Sequence, residues 1–139
     1  MSREKGKSTR IVLVTCPSLA PARKIARAVV EQRLAACVNV VRSPVESFYT
    51  WKGKLESARE HLLLIKTTAQ RLSSLEREVK RLHPYDLPEF IAIPITEGST
   101  EYLAWLGETI GAPRESRAGN RGAQPRIEGS VLNRRRRTD

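Results

Sequence analysis

Cysteine is scarce in this 139-residue chain, with Cys16 and Cys37 alone and no C-x-x-C spacing between them. A zinc ribbon and a thioredoxin-type redox motif are thereby excluded. Histidine is equally scarce, confined to His61 and His83. No charged-then-apolar leader opens the chain, and no apolar run approaches the length that spans a bilayer. The expectation is a cytoplasmic protein with reduced thiols and no membrane partner. Also missing are a Ser/His/Asp constellation, a catalytic carboxylate pair and a glycine-rich phosphate loop, so no enzymatic activity is expected. At this length one domain with tails can bury a core without disulfides or structural metal.

What is abundant is positive charge, a formal net of +10, which points to nucleic acid until it is located. Residues 1–10 and 113–139 carry 12 of the 25 basic and four of the 15 acidic residues, leaving 13 and 11 between them. The central segment is therefore close to neutral. The chain divides into a flexible basic N-terminus (1–9), a folded domain (10–112) and a tail (113–139). That tail is rich in Gly, Arg, Ser, Asn and Pro and nearly free of apolar residues, a composition that predicts disorder. Its arginine run at 134–137 reads as a solvated tail, with non-specific electrostatic contact as the one route to nucleic acid.

Ile11-Val12-Leu13-Val14 reads as a buried strand. Ser18 then offers an N-cap, with Pro21 in the first turn of a helix. Ala22, Ile25, Ala26, Val29, Val30 and Leu34 form its apolar face. Cys37 to Val41 reads as a second strand, interrupted at Ser43-Pro44 and resumed from Val45 to Trp51, a long bent strand with a bulge or edge position at the proline. Lys52-Gly53 turns the chain into a third strand centred on Leu62 to Ile65, closing a tight hairpin. Leu72, Leu75, Val79 and Leu82 mark a second helix, Phe90 to Ile95 a fourth strand, and Ser99 the start of a terminal helix. The order β-α-β-β-α-β plus a helix is the split βαβ, an α+β ferredoxin-like fold. Both helices cover one sheet face, and one short helix is left for the other. That shortage, with Phe48, Tyr49 and Trp51 near the hairpin tip, implies self-association.

The segment His83-Pro84-Tyr85-Asp86-Leu87-Pro88-Glu89 packs an imidazole, a phenol and two carboxylates into a proline-stiffened corner. Each proline drives the residue before it out of the helical region, so a helix running up to Leu82 must stop there. Such corners carry binding groups on a rigid scaffold. The plainer reading is a turn whose His83 faces helix carbonyls.

Several segments in order now resemble a known family. These are Leu34-Ala35-Ala36-Cys37-Val38-Asn39, Tyr49-Thr50-Trp51 with Lys52-Gly53, and Glu60 ahead of Lys66-Thr67. His83-Pro84-Tyr85 with Pro88-Glu89, and Tyr102-Leu103-Ala104-Trp105, complete the series. Together they look like the CutA family of divalent-cation tolerance proteins, from Ile11 to Ile110. The resemblance implies a ferredoxin-like homotrimer whose hairpins extend the sheets of neighbouring subunits. It also implies a role in tolerance of copper and other divalent cations in bacteria, and in animals in anchoring a membrane esterase.

The resemblance carries a bacterial copper pattern, a cysteine late in the first strand and two adjacent histidines before Pro-Tyr. Here the second histidine matches His83, the first falls on Leu82, and the cysteine position falls on Val14, two residues before Cys16. Cys16 is read as lying beyond the strand, before a helix start whose dipole lowers a thiol pKa. The candidate metal ligands are His83, Cys16 and Glu89, with Asp86 or His61 added from neighbouring chains and copper or another divalent cation as the ion. One histidine alone cannot hold a metal tightly. Lys66, leaving an apolar run, needs a carboxylate partner such as Glu60 or Glu89. Lys66, Tyr85, Glu60 and Trp51 are the candidate lining of an inter-subunit cleft for a small anionic ligand, the alternative being a pairing that only locks subunits. Cys37 reads as a small buried hydrophobe. Trp51, Tyr49, Tyr102 and Trp105 read as interface packing rather than base-stacking platforms. The competing functional reading is a PII-like regulatory trimer binding a small ligand or protein partner, although the tight Lys52-Gly53 turn replaces the long loop such proteins use.

Overall fold

The computed structural model describes residues 8–111. The two charged ends, with the arginine run at 134–137, lie outside the described residues. Five strands and three helices follow in the order β1 (Thr9–Cys16), α1 (Leu19–Glu31), β2 (Cys37–Val40), β3 (Val45–Trp51), β4 (Lys54–Thr68), α2 (Leu72–Leu82), β5 (Ile91–Pro94) and α3 (Thr100–Gly111). The sheet runs β2-β4-β1-β5, and every pair is antiparallel. This is the split βαβ order expected from the sequence. β1 begins at Thr9, one residue before the expected domain start.

β4 organises the molecule. Its 15 residues extend about 50 Å at the rise of an antiparallel strand. The half from His61 to Thr68 pairs with β1, whereas Lys54 to Glu60 pairs only with β3. The hairpin thus projects from the sheet as a two-stranded ribbon. Its turn is Lys52-Gly53, with φ of 52° and 81°, the left-handed pair of a two-residue hairpin turn.

Alternation along the strands sorts the side chains. Val12 and Val14 on β1 face Ile65 and Leu63 on β4, and all four are fully buried beneath Ile25 and Val29 of α1 and Leu75 and Val79 of α2. Each such side chain contributes about 1.5–3 kcal/mol on burial. The opposite sheet face carries Leu13, Leu62, Leu64, Ile91 and Ile93. Among the described residues only α3 covers part of it, packing Leu106 and Ile110 against Ala36 and held by the Arg71 Nη2 bond to the Ile110 carbonyl at 3.3 Å. Ile91 and Ile93 stay exposed, as do Phe48, Tyr49, Trp51 and Leu55 on the hairpin.

Several local expectations are corrected. Val30 is 40 % exposed rather than core-facing, because it sits about 100° around the helix from Val29. α1 ends at Glu31, so Leu34 lies beyond it. Arg33 takes φ 58°, and the reversed chain returns the Leu34 and Ala35 amides to the Val29 carbonyl. Ser18 occupies the N-cap without a side-chain capping bond, whereas Ser99 Oγ does accept the Tyr102 amide at 3.2 Å. The bent strand is two strands. Pairing stops at Val40–Leu63 and resumes at Val45–Glu60, so four residues oppose two around Pro44. The His61 ring, 3.0 Å from the Val41 carbonyl, accompanies this break.

Candidate functional site

Pro84 ends α2 by the mechanism expected of it. His83 has extended φ and ψ of −79° and 140°, although its amide still donates to the Val79 carbonyl. Its side chain is buried at 7 % exposure. Nδ1 accepts the Tyr85 amide proton at 3.0 Å, so the ring proton resides on Nε2, which donates to the Thr15 carbonyl at 2.8 Å. These partners define the tautomer. His83 therefore ties the end of α2 to the end of β1. A metal needs an imidazole lone pair, and neither nitrogen has one to offer.

Cys16 is brought to His83, with Sγ 3.7 Å from Nε2. It is the last residue of β1 and fully buried, not beyond the strand as the sequence suggests. Burial first, and then the charge of Glu60, push its thiol up to about 11. The expected lowering by a helix start does not occur, because loss of water in an apolar setting outweighs it. Cys16 is a thiol at neutral pH.

Tyr85 carries the cluster outward. Its ring sits 4.9 Å from that of His83, and its hydroxyl donates to Glu60 Oε2 at 2.8 Å. Burial, followed by the bond to Glu60, raises the phenol to about 12. Glu60 is only 7 % exposed, and among the described residues it forms no ion pair. Glu89 is close enough for Glu60 to add to the burial that raises its carboxyl pKa. No group of three His, Cys, Asp or Glu side chains able to hold a metal occurs among the described residues. The donors of one protomer thus do not fit a copper centre. Cys16 is protonated, His83 is occupied, and Glu89 completes no three-donor group with them.

The four cleft candidates divide within one protomer. Tyr85 and Glu60 meet. Lys66 lies six residues further along β4, about 20 Å away at strand spacing. Trp51 is at the hairpin tip opposite Lys54, a similar distance in the other direction. Among the described residues Lys66 finds no carboxylate. It donates to Asn39 Oδ1 and approaches Cys37 Sγ at 3.9 Å. Sequence reasoning missed Asn39, although its spacing of two from Cys37 already put both on one strand face. Cys37 is half-buried and reaches Tyr102 of α3, whose phenol is raised by burial first and then by the thiol.

Fold and site together define an α+β protein with one sheet face largely open, whose buried polar cluster locks a corner and presents a carboxylate. The family described as CutA1 divalent ion tolerance protein matches residues 10–109, and the chain belongs to that family. It is 52 % identical over 101 residues to the divalent-cation tolerance protein CutA of Thermus thermophilus, covering 73 % of this chain and 97 % of that one. The Xenopus laevis CutA homolog is 47 % identical over 97 residues, or 70 % of this chain, which spans 64 % of that longer protein. Among solved structures, the periplasmic divalent cation tolerance protein CutA of Archaeoglobus fulgidus superposes with a TM-score of 0.70 at 40 % identity, covering 73 % of this chain and 98 % of that one. None of these names describes an enzymatic activity.

Proposed function

We propose that the chain serves divalent-cation tolerance as a homotrimeric cytoplasmic binding protein rather than as an enzyme, and that copper or another divalent cation is held between copies, not within one. The observation that carries this reading is the charge arrangement on β4. Among the described residues Glu60 is buried without a cation, and Lys66, six residues along the same strand, has no carboxylate. About 20 Å of rigid strand keeps them apart. A site holding both must take Lys66 from one copy and Glu60 from another, with Glu89, Tyr85 and Trp51 beside them. The open face at Ile91 and Ile93 and the exposed aromatic hairpin supply apolar surface for such an assembly.

The cation is assigned to the carboxylates Glu60 and Glu89, which lie close together and form no ion pair among the described residues of one chain; two carboxylates against one incoming Lys66 ammonium leave net negative charge for it. The compartment rests on the cysteines being free, and fractionation of cells distinguishes it from the periplasm named for the Archaeoglobus relative. Native mass spectrometry of the metal-free full chain, titrated with Cu(I), Cu(II) and Zn(II), tests the reading. A three-copy assembly is expected for wild type and Cys16→Ala and, in weakened form, for Glu60→Gln. Whole-number metal binding should persist in Cys16→Ala and vanish in Glu60→Gln. A monomer overturns the assembly. Metal lost in Cys16→Ala but kept in Glu60→Gln overturns the carboxylate site and returns the role to Cys16 and His83.

A further inference from the structure

We infer that Cys37 and Lys66 form a modification site, a peroxide-dependent sulfenamide closed across the β2–β4 ladder. The two residues are Cα partners in the antiparallel register, and the Ala36 amide fixes that register by donating to the Lys66 carbonyl at 2.9 Å. Direct cross-strand partners project from the same face. The fold thus sets the two side chains next to each other, and Nζ lies 3.9 Å from Sγ. Asn39, two residues along β2 on that face, holds the lysine head beside the sulfur. Cys37 is half-buried, whereas Cys16 is sealed in the core and kept as a thiol. An oxidant from solvent meets Cys37 first.

The chemistry balances with hydrogen peroxide as oxidant. Sγ of Cys37 attacks one peroxide oxygen, the O–O bond breaks, and sulfenic acid and one water result. The Lys66 ammonium gives one proton to solvent, the lone pair of the resulting amine attacks Sγ, the S–O bond breaks, and hydroxide leaves with a second amine proton as a second water. Sulfur is oxidised by two electrons, peroxide is reduced to water, and the residue pair loses two hydrogens. Sulfenic acids condense in this way with thiols and with backbone nitrogen, and here a side-chain amine takes that place. Rotation about the terminal torsions of Lys66 closes the gap. The bridge removes the Lys66 charge from the sheet face and ties the edge strand β2 to β4, and an added thiol reverses it. The sulfenamide shares Lys66 with the proposed inter-copy site, but it is read on the Cys37–Lys66 bond itself, so its failure is distinguishable from a failure of metal binding or assembly.

The full chain is treated with hydrogen peroxide and followed by intact-protein and peptide mass spectrometry, with dimedone trapping sulfenic acid in parallel. Wild type should become lighter by two hydrogens, with the Cys37 and Lys66 peptides joined, and dithiothreitol should restore the original mass. Cys37→Ser should show neither change. Lys66→Arg, which keeps the charge but removes the amine, should instead accumulate a dimedone adduct at Cys37 severalfold above wild type. Equal dimedone labelling of wild type and Lys66→Arg overturns the inference. So does a two-hydrogen loss that maps to a disulfide, or a Cys37 that peroxide leaves unmodified.

Discussion

Replacing His83 with alanine separates a structural tie from a metal ligand, because the two roles predict opposite results in metal-free protein. The substitution leaves the Thr15 carbonyl and the Tyr85 amide without the imidazole that joins them. An unsatisfied buried polar group costs about 1–3 kcal/mol. The Thr15 carbonyl lies in a buried position and belongs at the upper end of that range. Tyr85 is only half-buried, so water recovers part of its loss. Adding the void left by the ring, we expect His83→Ala to lose about 2–4 kcal/mol. Urea unfolding in the presence of chelator, at fixed protein concentration, reads this as a lower midpoint with unchanged slope. His83→Gln, whose amide can still donate toward Thr15, should recover part of it. A metal-free His83→Ala protein within about 0.5 kcal/mol of wild type, the scale of an uneventful surface change, refutes the structural tie. If that variant then loses stability only relative to metal-loaded wild type, His83 is a ligand after all.

Two further outcomes follow from the backbone and from the raised phenol and thiol. Lys52 holds a left-handed φ of 52° in the hairpin turn, so Lys52→Gly should stabilise the fold by about 1 kcal/mol, measured by urea titration, and no gain would mean that the turn relaxes. Tyr85 and Cys16 have folded pKa values of about 12 and about 11, above their ordinary ones. The unfolded chain therefore releases these protons first as pH rises. Their stabilisation is complete below the ordinary phenol and thiol values and is lost as pH climbs through the folded ones. Alkaline unfolding should steepen in that window, and Tyr85→Phe should flatten it. An unaltered profile in Tyr85→Phe would remove the phenol as a cause.

Periodicity made most of the fold legible. The continuous apolar run Ile11 to Val14 reports a buried strand and the helical spacing from Ala22 to Val29 a helix with one buried side, and the core delivers both. The corner at His83 was legible because Pro84 acts locally, through its own ring. Failures came where the deciding partner is distant in sequence. The Cys16 thiol responds to enclosure by the core and to Glu60, neither visible from the helix start next to it. The Pro44 interruption read as a bulge in one strand, because nothing local says that β4 is long enough to pair with both halves at different registers.

The candidate cleft shows how element type governs a grouping. Lys66 and Glu60 read as lining a cleft between subunits, and on an extended strand six residues put them about 20 Å apart within one chain. On a helix the same spacing would have kept them within two turns. The element type thus decides whether a motif is a site, a spacer or two half-sites. On β4 it separates Lys66 from Glu60, and neither forms an ion pair among the described residues. Burying a carboxylate such as Glu60 without a cation is costly, and a fold that keeps one there is better explained by something that arrives to meet it. In the proposed assembly, the same strand that prevents the pairing within one chain holds Lys66 and Glu60 rigidly enough to make it between copies. Glu60→Gln and Lys66→Gln should therefore weaken the assembly non-additively, each variant already removing the contact that the other would lose. A double-mutant cycle on the three-copy to one-copy equilibrium measures it. Strict additivity would mean that the two charges never meet.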